Sequence, residues 1–234
     1  MSYRTCVWIL FVFVSFSEFY TTDALWGTGE DTTALFQTVI KNVPTEVAPD
    51  GLNGEPLIVK HSLTLVNLVA LENNVLVLNL WESMHWQNPR LQWSPAMFGV
   101  KEVSVPSRLL WQPDILLYFS AEEYKGFPPG DLNALVQHDG NISFIIPKIT
   151  KSYCAFNNGD IAAKAEITCM LRFGSWTRSG LVLNLEKYYE PEIMNNDNPR
   201  WNVTSFVAEK EVIHYQCCPE TFVSIVYKLT ILPL

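Results

Sequence analysis

Two adjacent cysteines, Cys217 and Cys218, stand between Tyr215 and Phe222, and two more occur at Cys154 and Cys169. A fifth, Cys6, belongs to an apolar N-terminal run. Four half-cystines in an exported chain predict two disulfides with three possible connectivities. Pairing Cys154 with Cys169 closes a loop of 14 residues (169 − 154 − 1) and leaves Cys217 and Cys218 to each other. A bridge between neighbours is an eight-membered ring, and such a constrained unit calls for a functional reason. Zinc is the competing use of cysteine, but there is no C-x-x-C pair, and His61, His85, His138 and His214 fall in separate segments. Neither H-E-x-x-H, G-x-S-x-G nor a Walker loop occurs, so the reading is a non-catalytic chain with no metal and no cofactor.

The second chemical signal is aromatic. Trp81, Trp86, Trp93, Trp111, Tyr118, Trp176, Tyr215 and Phe222 sit near strand ends and turns. Most strand aromatics are core residues that carry large buried area, yet packing does not explain a vicinal cysteine pair beside Tyr215. Several electron-rich rings around one cavity hold a quaternary ammonium group by cation–π attraction, about 2 kcal/mol or more per desolvated contact. The formal net charge of −8, from 16 Lys+Arg against 24 Asp+Glu, disfavours a nucleic-acid partner and suits a cationic one.

The elements that must position these residues follow from pattern. Glu30–Lys41 carries apolar residues at 34, 35, 36, 39 and 40, acidic residues first and Lys41 last, which predicts a helix. Leu57–Ala70 and Val75–Trp86 alternate across Glu72-Asn73-Asn74, a hairpin signal. Further strands are predicted over Val100–Val105, Ile115–Tyr118, Leu132–Gln137, Ile142–Ile146, Ala165–Arg172, Leu181–Tyr188, Val203–Tyr215 and Phe222–Leu232, separated by clusters such as Pro128-Pro129-Gly130. Many short strands after one helix predict a single all-β sandwich. At the N-terminus a basic start and the apolar run Cys6–Phe16 predict a signal peptide over 1–22, cleaved between Ser17 and Trp26, with one domain over 23–234. No later stretch is apolar and long enough for a transmembrane helix, so the expectation is a secreted, soluble, extracellular product without membrane insertion. Asn141-Ile-Ser143 and Asn202-Val-Thr204 are sequons.

Four motifs in order resemble one family. Trp81-x-x-x-x-Trp86 with Leu91-Gln-Trp93, Trp111-Gln-Pro-Asp-Ile-Leu-Leu-Tyr118, Phe173-Gly-Ser-Trp-Thr177 and Tyr215-Gln-Cys-Cys218, with the Cys154/Cys169 loop between them, are similar to the ligand-binding domains of Cys-loop receptors, especially nicotinic receptors and soluble acetylcholine-binding proteins. The resemblance covers nearly the whole mature chain. It implies an immunoglobulin-like twisted β-sandwich with an N-terminal α-helix, a homopentamer, and a pocket between subunits for acetylcholine and nicotine-like cations. The principal face implied is Tyr118, Trp176, Tyr215, Cys217, Cys218 and Phe222; the complementary face is Trp81, Leu135, Ser143 and Ile145. Trp86, Trp93 and Trp111 are read as core.

Three departures qualify what the resemblance implies. Phe222 replaces a second loop tyrosine, which bears on ligand rank order; Ser143 is shorter than many counterparts; and residues 155–168 lack the aromatic–proline core with which channel-forming members dock onto their membrane domain. The last point, with the end at Leu234, favours the soluble branch. The rivals are a channel's extracellular portion truncated before its membrane helices, a secreted β-sandwich enzyme or lectin, and the same fold tuned to another amine.

Overall fold

A computed structural model describes residues 28–123 and 132–234; the signal-peptide segment, Cys6 and the Pro128-Pro129-Gly130 turn lie outside the described residues. In chain order the elements are α1 (Gly29–Thr38), β1 (Leu57–Glu72), β2 (Val75–Gln92), α2 (Pro95–Phe98), β3 (Glu102–Pro106), β4 (Ile115–Leu117), β5 (Asn133–Gln137), β6 (Asp139–Tyr153), α3 (Asn158–Ala162), β7 (Ile167–Ser175), β8 (Leu183–Lys187), β9 (Glu192–Ile193), β10 (Trp201–His214) and β11 (Thr221–Pro233).

Helix α1 starts where chemistry allows it. Thr28 accepts the Asp31 N–H while the Asp31 carboxylate takes the Thr28 N–H, a capping box. It stops earlier than the Glu30–Lys41 pattern predicts. The Asn42 side chain donates to the carbonyls of Gln37 and Thr38, and the chain tightens into a 3-10 turn over Ile40–Asn42 ahead of Pro44. Leu35 and Ile40 are the buried anchors of this segment.

The strands form two sheets. The first runs β3-β5-β6-β2-β1-β8, with β9 also paired to β1; the second runs β10-β11-β7-β4. The β1–β2 hairpin closes through Asn73 and Asn74 at φ 52° and 63°. Successive positive φ values give the turn a twist that matches the flanking strands. Alternation puts Leu76, Leu78, Leu80, Met84 and Trp86 of β2 in the core against Leu171 and Phe173 of β7 and Ile225, Tyr227 and Leu229 of β11. Trp93 and Trp111 are buried as well. The expected sandwich with its N-terminal helix is therefore what forms. Its strands run longer than pattern alone gives, above all β6, which continues from Asp139 through Pro147 to Tyr153.

A disulfide between Cys154 and Cys169 joins the end of β6 to β7, stapling one sheet to the other. Cys217 and Cys218 bond to each other at the tip of the β10–β11 hairpin.

Candidate functional site

The Trp176 loop is held from below by one carboxylate. Asp114 follows the Trp111-Gln112-Pro113 turn and accepts from Ser175 Oγ at 2.5 Å, Thr177 N–H at 2.8 Å and Thr177 Oγ1 at 2.6 Å, while its backbone carbonyl takes the Trp176 N–H at 3.1 Å. Ser175 Oγ also accepts the Arg178 N–H, and the Arg178 guanidinium lies 5.6 Å over the Trp111 ring. Both residues flanking Trp176 are thus tied down, and its indole is pushed outward to 68% exposure. An indole is normally among the most buried side chains, so a locked loop that presents one to solvent is unusual.

Tyr118 stands beside it, ring centroids 6.4 Å apart and nearly perpendicular. Its hydroxyl donates to the Ser175 carbonyl at 2.9 Å. Gly174 makes room for this arrangement: a Cβ there would sit 2.3 Å from the Tyr118 hydroxyl oxygen. The phenol is pushed up to about 12 by burial first, then by Tyr215 and Asp114, with Arg172 pulling the other way. It is a protonated donor throughout the physiological range. Tyr215 and Phe222 close the group from the β10–β11 hairpin, with ring centroids 5.4 Å apart in an edge-to-face pair. The hairpin ladder runs out at His214 and Thr221, leaving residues 215–220 as a tip whose turn is closed by Cys218 N–H to the Tyr215 carbonyl. All the residues expected on the principal face are thus collected at one end of the second sheet.

The four residues expected on the complementary face lie on the other sheet. Trp81, Ile145 and Leu135 are 40%, 51% and 40% exposed and alternate with buried neighbours in β2, β6 and β5. Leu135 faces Ser143 across β5–β6, and Ser143 faces His85 across β6–β2, where Ser143 Oγ and His85 Nδ1 are 2.9 Å apart. Burial and the nearby Lys60 hold His85 below its ordinary value. Phe222 points away from the core that Val223 and Ile225 enter, and Trp81 points away from the core on the opposite sheet. One protomer therefore carries two ring-bearing faces that point outward in different directions. A cavity of about 540 Å³ lies elsewhere, between residues 50–58 and His85, Trp86 and Tyr188, and meets the complementary set only at Ser143.

Arrangements of this kind invite comparison with known binding domains. A family model described as the neurotransmitter-gated ion-channel ligand binding domain matches residues 32–232. The chain belongs to this family. It is 30% identical over 218 residues to the rat (Rattus norvegicus) neuronal acetylcholine receptor subunit alpha-10, covering 90% of this chain and 48% of that protein. It is 29% identical over 216 residues to the acetylcholine receptor subunit alpha-L1 of Schistocerca gregaria (86% and 38%), and 28% over 217 residues to the acetylcholine receptor subunit alpha of Danio rerio (88% and 46%). The chain spans about half the length, or less, of these curated relatives. The family is one of ligand-binding domains, not of enzymes. Among the described residues no helix is long and apolar enough to cross a membrane, and no group of three or more His, Cys, Asp or Glu is placed to hold a metal.

Two features escaped the sequence reading. Asp114 lies inside the Trp111–Tyr118 motif but was not singled out, although Ser175 and Thr177 supply the hydroxyls it needs. The other is a buried ionic network. His61 and Glu82 are 0% and 2% exposed; His61 Nε2 is 2.9 Å from Glu82 Oε1, His61 Nδ1 is 2.8 Å from the Tyr227 hydroxyl, and Lys148 Nζ pairs with Glu82 Oε2. A signal for it did exist: Glu82 and Lys148 occupy core-facing positions in strands whose other core-facing residues are mostly apolar.

Proposed function

We propose that this chain binds small cationic amines, acetylcholine and nicotine-like ligands, reversibly and without catalysis, in a cage shared by two copies of itself. Tyr118, Trp176, Tyr215, Phe222 and the Cys217–Cys218 tip form the principal wall; Trp81, Leu135, Ser143 and Ile145 of the next copy form the complementary one. Each copy carries one wall of either kind, and a head-to-tail contact that closes gives a cyclic oligomer; the family resemblance makes that ring one of five copies. The observation that carries this reading is the bare indole of Trp176, fixed by Asp114 beside Tyr118, with the Tyr215–Phe222 pair of the hairpin at the same end of the sheet. Desolvated between two copies, its π face supplies cation–π attraction of about 2 kcal/mol or more. The acidic balance of the chain supports a cationic ligand. In this reading the protein is exported behind the 1–22 leader, soluble, and glycosylated at Asn141 and Asn202.

A subunit-mixing experiment tests the shared cage. W176A and W81A copies are each expected to lose nicotine binding when assembled alone. Co-assembled in equal amounts, about a quarter of the interfaces pair an intact Trp176 with an intact Trp81, and a matching fraction of sites returns. No recovery in mixed oligomers refutes the two-copy cage.

A second reading, the extracellular portion of a longer channel subunit, is favoured by the length of the relatives, of which the chain covers 38–48%. Transcripts that continue past Leu234 into apolar helices decide for it.

A further inference from the structure

Core-facing positions of β2 read Leu76, Leu78, Leu80, Glu82, Met84, Trp86, and those of β6 read Ile142, Phe144, Ile146, Lys148, Thr150. One carboxylate therefore lies in a predominantly apolar interior, and one ammonium reaches it from a side chain still 31% exposed. They meet there: Lys148 Nζ bonds Glu82 Oε2 and lies 5.3 Å over the Phe173 ring. His61 from β1 takes the other Glu82 oxygen through Nε2 at 2.9 Å and reaches the Tyr227 hydroxyl of β11 through Nδ1 at 2.8 Å. The His61 ring also stacks obliquely on Phe173 of β7, centroids 4.9 Å apart. With Glu82 ionised, Nε2 must carry the proton, and in the neutral ring Nδ1 then accepts from Tyr227. Both Glu82 oxygens and both His61 nitrogens have partners.

Such a cluster adds little stability over apolar side chains of the same volume. Desolvation of Glu82 opposes its charge, and Lys148 with His61 outweigh it. What directional contacts add is geometry: the Tyr227–His61 hydrogen bond and the Lys148 ammonium over the Phe173 ring cross between the sheets, and the charge-assisted bonds to Glu82 hold His61 and Lys148 in place for them. Their location gives that geometry a use. Three members sit on the sheet that bears the complementary face and the fourth on the sheet that bears the principal face. Glu82 follows Trp81 directly, Phe173 precedes Trp176 by three residues, and Tyr227 follows Phe222 by five. The Cys154–Cys169 staple lies on the other side, six residues beyond Lys148 and four before Phe173. Between that staple and the rings, the Tyr227–His61 hydrogen bond carries the network from sheet to sheet, alongside the Lys210–Asn184 bond between β10 and β8.

We infer that Glu82, Lys148 and His61 are positioning residues: bonded to one another and to Tyr227, they fix how the two sheets sit against each other and so the relative placement of the two ligand-binding faces. The ligand-facing half of this inference rests on the function proposed above.

The experiment compares the wild-type oligomer with H61F/E82L/K148M, which fills the same space with apolar groups, and with K148M and K148R. Melting temperature, nicotine affinity and a spin-label distance between Gln137→Cys and Val207→Cys, one on each sheet, are read for each. The triple variant, which also leaves the buried Tyr227 hydroxyl without its His61 partner, is expected to melt several degrees below wild type, bind at least tenfold more weakly and show a shifted or broadened inter-sheet distance. K148R is expected to keep affinity within threefold and K148M to lose it. Wild-type affinity and an unchanged distance in the triple variant overturn the inference, leaving the cluster as core filling. Should the triple variant not fold, K148R and K148M decide, and equal behaviour of those two overturns it. A wild type that binds no amine sinks the proposed function alone, because the spin-label distances still judge the network.

Discussion

Replacing Asp114 by Asn changes one oxygen to an amide and removes a full charge from beneath the Trp176 loop. The carboxylate accepts three bonds, at 2.5, 2.8 and 2.6 Å, from Ser175 Oγ, Thr177 N and Thr177 Oγ1. An amide oxygen keeps the two Thr177 bonds as neutral ones, and the new NH₂ faces Ser175 Oγ, which already accepts from Arg178. Charge assistance is worth about 1 kcal/mol per bond, so the latch weakens by roughly 2–3 kcal/mol. If ligand binds only the latched loop, apparent affinity falls with the latched fraction, up to roughly a hundredfold for 3 kcal/mol. The loop lies at the end of β7 with Trp176 already exposed, so its release exposes little core, and the melting temperature should move by less than about 5 °C. Calorimetric titration with nicotine, beside a circular-dichroism melt, measures both. Affinity within threefold of wild type at an unchanged melting temperature refutes the latch, and Trp176 is then held by other contacts.

Substituting Trp176 by Ala should weaken nicotine binding by more than a hundredfold while leaving the β-sheet spectrum unchanged, because a residue 68% exposed contributes little to the core. Gly174→Ala puts a methyl 2.3 Å from the Tyr118 hydroxyl and should dislodge it from the Ser175 carbonyl, costing about 1–3 kcal/mol by overpacking and at least tenfold in affinity; an affinity equal to wild type refutes the close approach. The Glu82 carboxyl is lowered from 4.5 to about 2: burial works to raise it, and Lys148 and His61 more than reverse this. A depressed folded-state value contributes stability that is fully present above the unfolded value near 4.5 and lost as pH falls toward 2. The stability gap between wild type and E82Q should therefore shrink by about 3 kcal/mol between pH 6 and pH 2, and a gap independent of pH in denaturant titrations contradicts the ionised network.

The members of the candidate site could be proposed because rings and cysteines lie inside short ordered motifs: Tyr118, Trp176, Tyr215 and the Cys217–Cys218 pair come from spacing and resemblance alone. Their grouping on one face came from the resemblance and not from spacing, since the Tyr118–Trp176 contact spans 58 residues and depends on β4 pairing with β7. The Asp114 latch was hidden for the same reason, its partners being 61 and 63 residues away. For the fold, alternation found the strands but ended β6 at Ile146, just before Pro147, a residue that cannot donate to a strand ladder. In the structure Pro147 pairs opposite Trp81 and Lys148 turns inward to Glu82, and the strand runs seven residues further, to Tyr153. The helix error had a comparable cause, with Asn42 capping carbonyls that a longer helix would have used itself. Sequence pattern records which residues prefer which face, and it is silent on pairs that satisfy one another only across the completed sandwich.

The distribution of apolar side chains over the two faces bears on why the cage should be divided between copies. Burying an indole is worth several kcal/mol, so a fold that spends three hydrogen bonds to keep Trp176 out of its core forgoes stability a single protomer could have had. On the other sheet Trp81, Leu135 and Ile145 are left half-covered by the same protomer. Neither face can shelter the other, because they lie on opposite sheets of one rigid sandwich. In the proposed function a second copy covers both, and a cation of a few ångströms between the copies displaces water from both walls at once. Local conflict with core-packing rules of this kind concentrates at functional positions. Here it falls on the residues that the motifs single out, and the Asp114 latch makes the exposure of Trp176 a fixed feature of the loop instead of a fluctuation.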